Sequence, residues 1–212
     1  MKQFLEKIRK PDTACPLRAR LILAVGVIVL GFGLGVLQKW LDSLAVNELP
    51  LVFQQLDITN YFGRPAVWIL LATVIAVYAS HPLQASVNTF LFFISMLAGY
   101  YLYCHFVLGF LPKAYMLMWL AIACVTPLLA YICWYAKGEG AAAVVITAGI
   151  LGVLFSQAFL LLQGFRVAYV PEILTWLAAL VVLRRKPKEL AAAVGLSLVV
   201  AVIWQLLVPY GG

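Results

Sequence analysis

Few side chains in this 212-residue sequence can do chemistry, and their spacing limits what that chemistry is. Glu172 is the one acid that the apolar pattern pushes below a membrane interface, and a carboxylate at that depth points to cation or proton handling. The pair Pro171-Glu172 also reads as the first turn of a helix, where proline fits and the dipole favours an anion. Arg166 is a candidate ion-pair partner. Among the buried amides and hydroxyls, Gln157, Asn88 and Ser95 are the positions best placed to line a site for a neutral solute; the default for such groups in lipid is to bond neighbouring helices. His81 and His105 lie 24 positions apart, about 36 Å along a continuous helix, so they cannot share one metal. No other grouping suggests a metal or a cofactor.

The missing chemistry is equally informative. Intramembrane hydrolases need paired acids, a nucleophile with its base, or a carboxylate metal site, and no apolar run contains Asp or Lys. No phosphate-cradling glycine loop of the P-loop type occurs. The sequence therefore reads as a non-enzyme. Of four cysteines, Cys104, Cys124 and Cys133 fall inside apolar runs, where cysteine acts as a small hydrophobe. Cys15 precedes the first run among Lys and Arg residues, where a thiolate is favoured or a lipid can attach.

The elements that position these residues follow from composition. Hydrophobic residues make up 65% of the chain and charged residues 11%, against about 45–50% and about 25% in globular domains. That much apolar surface implies an all-α bundle in a membrane, in a single helical domain over 21–210 after a basic cytoplasmic segment 1–20. Seven spans are expected, over about 21–38, 65–80, 83–106, 114–136, 141–162, 167–183 and 190–208. Pro127 predicts a kink in the fourth. The small-residue site Ser43-Leu44-Ala45 is compatible with signal cleavage, but the long charged leader and nearly full-length first run favour an uncleaved helix. The connection 39–64 carries Leu49, Val52, Phe53 and Leu56 at helical spacing, which suits an interfacial helix capped by Asn47 or a stripe packed on the bundle.

The sixth span is the difficult one, because its uncharged stretch 173–183 gives only about 16 Å of helix against a core of about 30 Å. Charge decides in favour of a crossing. With the amino end inside and seven spans, eleven Lys and Arg residues fall on the inner side, at positions 2, 7, 9, 10, 18, 20, 137, 184, 185, 186 and 188. Four fall outside, at 39, 64, 113 and 166. Without the crossing the split becomes seven against eight. The positive-inside rule thus places the carboxyl end outside and requires the sixth helix to begin near Val167. It also explains the net charge of +7 without nucleic acid. Trp40, Tyr61, Trp68 and Tyr135 fall near span ends, as interfacial aromatics do. Gly31 and Gly35, four apart in the first span, let another backbone approach closely, either within the chain or from a membrane partner or second copy. No repeat is visible by eye.

From about Asn88 to Lys188, the runs Gly99-Tyr100-Tyr101-Leu102-Tyr103, Pro112-Lys113-Ala114-Tyr115, Cys133-Trp134-Tyr135-Ala136-Lys137-Gly138 and Gln157-Ala158-Phe159 give a further comparison. Together with the basic stretch 185–188, this half of the chain resembles a family of small bacterial polytopic membrane proteins of unknown function. The resemblance implies a bacterial plasma membrane and transfers no site residue. In size and inside amino end the chain is also similar to the substrate-binding components of vitamin transporters, which carry six spans and an alanine face where this chain has seven and glycines. Together these expectations describe a membrane protein that binds or transports a small solute, or an accessory subunit packing through its glycine-rich helix faces.

Overall fold

The protein, seen in a computed structural model, is described for residues 2–12, 14–45, 49–162 and 164–208; Asn47 lies outside these. Among the described residues the chain is helical but for one short hairpin. The helices are α1 (Lys2–Ile8), α2 (Leu17–Ser43), α3 (Leu51–Gln55), α4 (Ile58–Tyr61), α5 (Pro65–Val77), α6 (Pro82–Phe106), α7 (Lys113–Trp134), α8 (Gly140–Ala158), α9 (Val170–Val182) and α10 (Pro187–Leu207). The strands β1 (Phe159–Leu160) and β2 (Arg166–Val167) pair antiparallel. Five helices, α2, α6, α7, α8 and α10, are long and apolar enough to cross a membrane. Their outward faces are correspondingly oily: Ile22 and Val29 of α2 are 71% and 66% exposed. Such faces suit lipid and would be a liability in water.

Several helices differ from the expected bounds, α2 being longer, at Leu17–Ser43, and α5, α8 and α9 shorter. The second apolar run stops at Val77, and the sixth begins at Val170 rather than near Val167, leaving α5 and α9 with 13 residues each. Each measures about 20 Å. Arg166 and Val167 belong to the hairpin instead, and Tyr169 is extended at φ −146°. Helix α9 then starts through Pro171, whose missing N–H and fixed φ suit a first turn. The fifth run likewise stops at Ala158, where Gln205 of α10 secures the turn. Its Nε2 donates to the carbonyls of Ser156 and Phe159, and its Oε1 accepts from Leu161 N–H. The connection after α2 forms α3 and α4, broken at Asp57 in the left-handed region (φ 51°), with Val52 and Phe53 exposed rather than packed on the bundle.

Opposite ends of the bundle have opposite character. At one end, arginines bind the carbonyls that helix C-termini leave unsatisfied. Arg9 donates to Trp134 O and Val77 O at 2.5 and 3.0 Å, and Arg185 donates to Ala136 O and Gly138 O at 2.6 and 2.9 Å. The other end holds Lys39, Tyr61, Arg64 and Tyr100 with their acidic or hydroxylic partners.

A repeat emerges that residue identities conceal. The bounds of α5 and the start of α6 recur 105 positions later in α9 and α10, at 65 and 170, 77 and 182, and 82 and 187. The long helices of each half pair in the same way: α2 lies on α6, and α8 lies on α10. Gly31 abuts the Phe92 carbonyl and the Ser95 side chain. Gly152 abuts the Ser197 carbonyl and the Val200 side chain, which are 105 positions on from 92 and 95. Tyr100 reaches Asp42 at the end of α2, while Gln205, its counterpart, secures the end of α8. The chain thus comprises two long–short–long units joined by α7.

Candidate functional site

The first candidate site lies where α5 and α9 begin. Arg64, directly before α5, donates through Nε to Glu172 in the first turn of α9 and through Nη1 to Asp57 at 2.7 Å. Glu172 and Arg64 are buried, at 1% and 8% exposure. The left-handed backbone of Asp57 turns its carboxylate toward Arg64, and Asn60 Nδ2 donates to its other oxygen at 2.7 Å. The Arg64 guanidinium lies 3.8 Å from the Tyr169 ring centroid, a cation–π contact. Beside it the Tyr61 hydroxyl donates to Thr175 Oγ1 at 2.6 Å, and Thr175 donates to Pro171 O at 2.9 Å. The ion pair of Glu172 thus falls to Arg64, 108 residues earlier in the chain. Among the described residues, Glu172 Oε2 and Arg64 Nη2 have no hydrogen-bond partner.

A second feature is larger. Between α5, α6 and α7 lies a cavity of about 550 Å³, within the range of about 300–1,000 Å³ usual for small-molecule sites. Trp68, Ile69 and Ala72 of α5, Phe93 and Met96 of α6, and Trp119 of α7 form much of its wall. Its polar groups gather at one end, where Gln38, Asp42, Thr59, Tyr100, Tyr101 and Tyr115 meet. Its other end, at Ala130, Cys133 and Ile150, is apolar. Asp42 is already held by Lys39 Nζ at 2.6 Å. Two threonines on the wall have opposite fates. Pro127 cannot donate to the Ala123 carbonyl, and Thr126 Oγ1 donates to it instead at 2.8 Å, so α7 continues through the proline. Thr89 is 1% exposed, yet its hydroxyl has no partner among the described residues.

The residues singled out from the sequence are dispersed. Glu172 sits in the charged cluster; none of Glu172, Gln157, Asn88 and Ser95 lines the cavity. Ser95 donates to Phe92 O at 2.9 Å and lies against Gly31, in the α2–α6 seam; Asn88, seven residues earlier, lies buried on the same helix. Gln157 is buried in the last turn of α8. Gly31 and Gly35 are both closed by α6, where the Phe92 and Met96 carbonyls occupy the space of an added Cβ. Among the described residues no group of three or more His, Cys, Asp or Glu side chains is arranged to hold a metal. The cavity was missed because an apolar face lining a void has the same residue types as one facing lipid. Thr73, Thr89 and Thr126, spread over three runs, all line it.

Comparison with protein-family models, with curated proteins and with solved structures gives no match. The two resemblances read from the sequence have no counterpart there, and the reading rests on this geometry.

Proposed function

We propose that this chain is a non-enzymatic membrane protein of seven passes that takes a small solute into the cavity between α5, α6 and α7, as a transporter or its binding component. The observation that carries this reading is the cavity itself, walled by apolar side chains and lined by polar ones at one end.

Seven passes are supported by the alternation of the helices, by arginines gathered at one end, and by the short α5 and α9 beginning together at Arg64 and Glu172. The amino end lies in the cytoplasm by the charge rule, and the plasma membrane of a bacterium is the location that the family resemblance favours. The alternative, an accessory subunit docking through Gly31 and Gly35, lacks a surface, because α6 already occupies that face.

Two experiments test the proposal. In intact cells a membrane-impermeant maleimide is expected to label Thr59→Cys in a variant lacking the four native cysteines, and to leave the native Cys15 unlabelled; the opposite pattern overturns the orientation. In purified protein in lipid nanodiscs, a panel of water-soluble and lipophilic compounds is screened for thermal stabilisation. At least one is expected to stabilise the wild type and not Ala72→Phe, which fills the cavity. Equal effects on both proteins overturn the cavity as the site.

A further inference from the structure

The cavity is a narrow slot. Its lining along α7 runs from Tyr115 to Cys133, about 27 Å of helix at ~1.5 Å per residue. A volume of about 550 Å³ over that length gives a mean cross-section of about 20 Å². Non-bonded carbons approach to ~3.5–4.0 Å, so parallel hydrocarbon chains stand about 4–5 Å apart and each occupies roughly 20 Å². That mean area matches one chain. A cavity of ~150 Å³ holds one benzene, so this one holds roughly 20 non-hydrogen atoms.

Its chemistry runs from polar to apolar. The tyrosines at 100, 101 and 115 stand at the mouth. The carboxylate of Asp42 there is neutralised by Lys39, which leaves no unbalanced charge to select a charged head. The far end is formed by Ala130, Cys133 and Ile150. Along α6 the lining extends from Tyr101 to Thr89, about 18 Å.

Resting on the reading of this cavity as a ligand site, we propose that its ligand is a single-chain amphiphile with an uncharged head. The head lies among Tyr100, Tyr101 and Tyr115, and the chain fills the slot. Two-chain membrane phospholipids do not fit.

The test places the protein in nanodiscs and titrates in a dibrominated dodecanol, whose bromines quench tryptophan fluorescence. Trp68 and Trp119 line the slot. Quenching is expected to saturate, to be largely lost in the Trp68→Phe/Trp119→Phe variant, and to be lost in Ala72→Phe. Should Ala72→Phe not fold, Ile122→Trp on the opposite wall takes its place, read by competition. Hexadecanol is then expected to compete for the site. Quenching that rises without saturating and is unchanged in Ala72→Phe overturns the proposal as bulk partitioning. Equal quenching by a two-chain brominated phospholipid overturns it as annular lipid contact. A water-soluble compound that stabilises the wild type and not Ala72→Phe, with no saturable amphiphile, overturns the ligand class and leaves the ligand site standing. With neither effect, both fall.

Discussion

The two long–short–long units are built to one plan and finished differently. In both, a glycine brings the first long helix against a carbonyl of the third, at Phe92 in one unit and Ser197 in the other. In the first unit the short helix α5 leans on α6 and α7; in the second, α9 leans on α8. Side chains at matching positions follow suit. Thr89 lines a cavity, whereas Val194, its counterpart 105 positions on, packs against the apolar cluster around Leu151 and Leu154. Glu172 corresponds to Val67, and Arg64 corresponds to Tyr169, the ring on which it stacks. The same scaffold thus carries one half with a cavity and one half closed by apolar packing. The charges sit where the two short helices begin together.

The largest expected effect breaks that junction. Arg64→Leu alone strands the buried Glu172 carboxylate and is expected to cost about 3–5 kcal/mol, read as a fall in the thermal midpoint in nanodiscs; Glu172→Ala, which leaves Arg64 its Asp57 partner, is expected to cost less. Arg64→Leu combined with Glu172→Val, which gives α9 the residue α5 already holds, is expected to recover most of that loss. A double variant as unstable as the singles would mean the pair specifies the α5–α9 contact beyond its charge balance.

The glycine seams come next. A Cβ at Gly35 meets the Met96 backbone, whereas a Cβ at Gly152 meets the Val200 side chain at 2.6 Å and the Ser197 carbonyl at 2.7 Å. Both substitutions to alanine overpack, within about 1–3 kcal/mol, and Gly35→Ala is expected at the upper end of that range with Gly152→Ala at the lower. The reverse order, measured by thermal unfolding in one lipid, would show that the α2–α6 seam is the more yielding.

Thr89→Val converts the open wall to the residue of the closed half. It removes a buried hydroxyl without a partner and is expected to raise the stability of the ligand-free protein by about 1 kcal/mol. A loss instead would show that the hydroxyl is satisfied by water.

What the sequence revealed of these halves depended on range. The long apolar helices were legible because charge is absent from them, and the missing backbone donor at Pro127 because proline acts on the carbonyl four residues back. The shortness of α9 was half legible: the uncharged run 173–183 was too short, but the hairpin that shortens it depends on Gln205, in another helix. The Arg64–Glu172 pair joins residues far apart in sequence, and Arg166 was merely the nearer cation. The repeat was hidden because it is conserved in helix bounds and backbone contacts, which glycine, serine and valine satisfy interchangeably. Among the cavity residues, the aromatics at the mouth read as interfacial anchors, a role their chemistry suits equally.

The smallest expected effect separates the two tight turns. His81, between α5 and α6, accepts a hydrogen bond at Nδ1 from Gln84 N–H at 3.2 Å and so caps α6, while Arg20 Nη1 stands 3.5 Å from Nε2. The second unit has Lys186 in that place, with no imidazole. Burial and the nearby Arg20 cation hold the His81 pKa below its ordinary 6.5. The unfolded chain therefore takes up this proton at higher pH than the folded one, and stability drops as pH falls from about 6.5 through the lowered folded value. Protonation also removes the lone pair that caps the helix. His81→Asn keeps a cap acceptor without a titration. Its thermal midpoint, followed from pH 7.5 to 5, is expected to fall less than that of the wild type, by an amount smaller than the Thr89→Val gain. Parallel curves would place the acid sensitivity of the first unit elsewhere than in its turn.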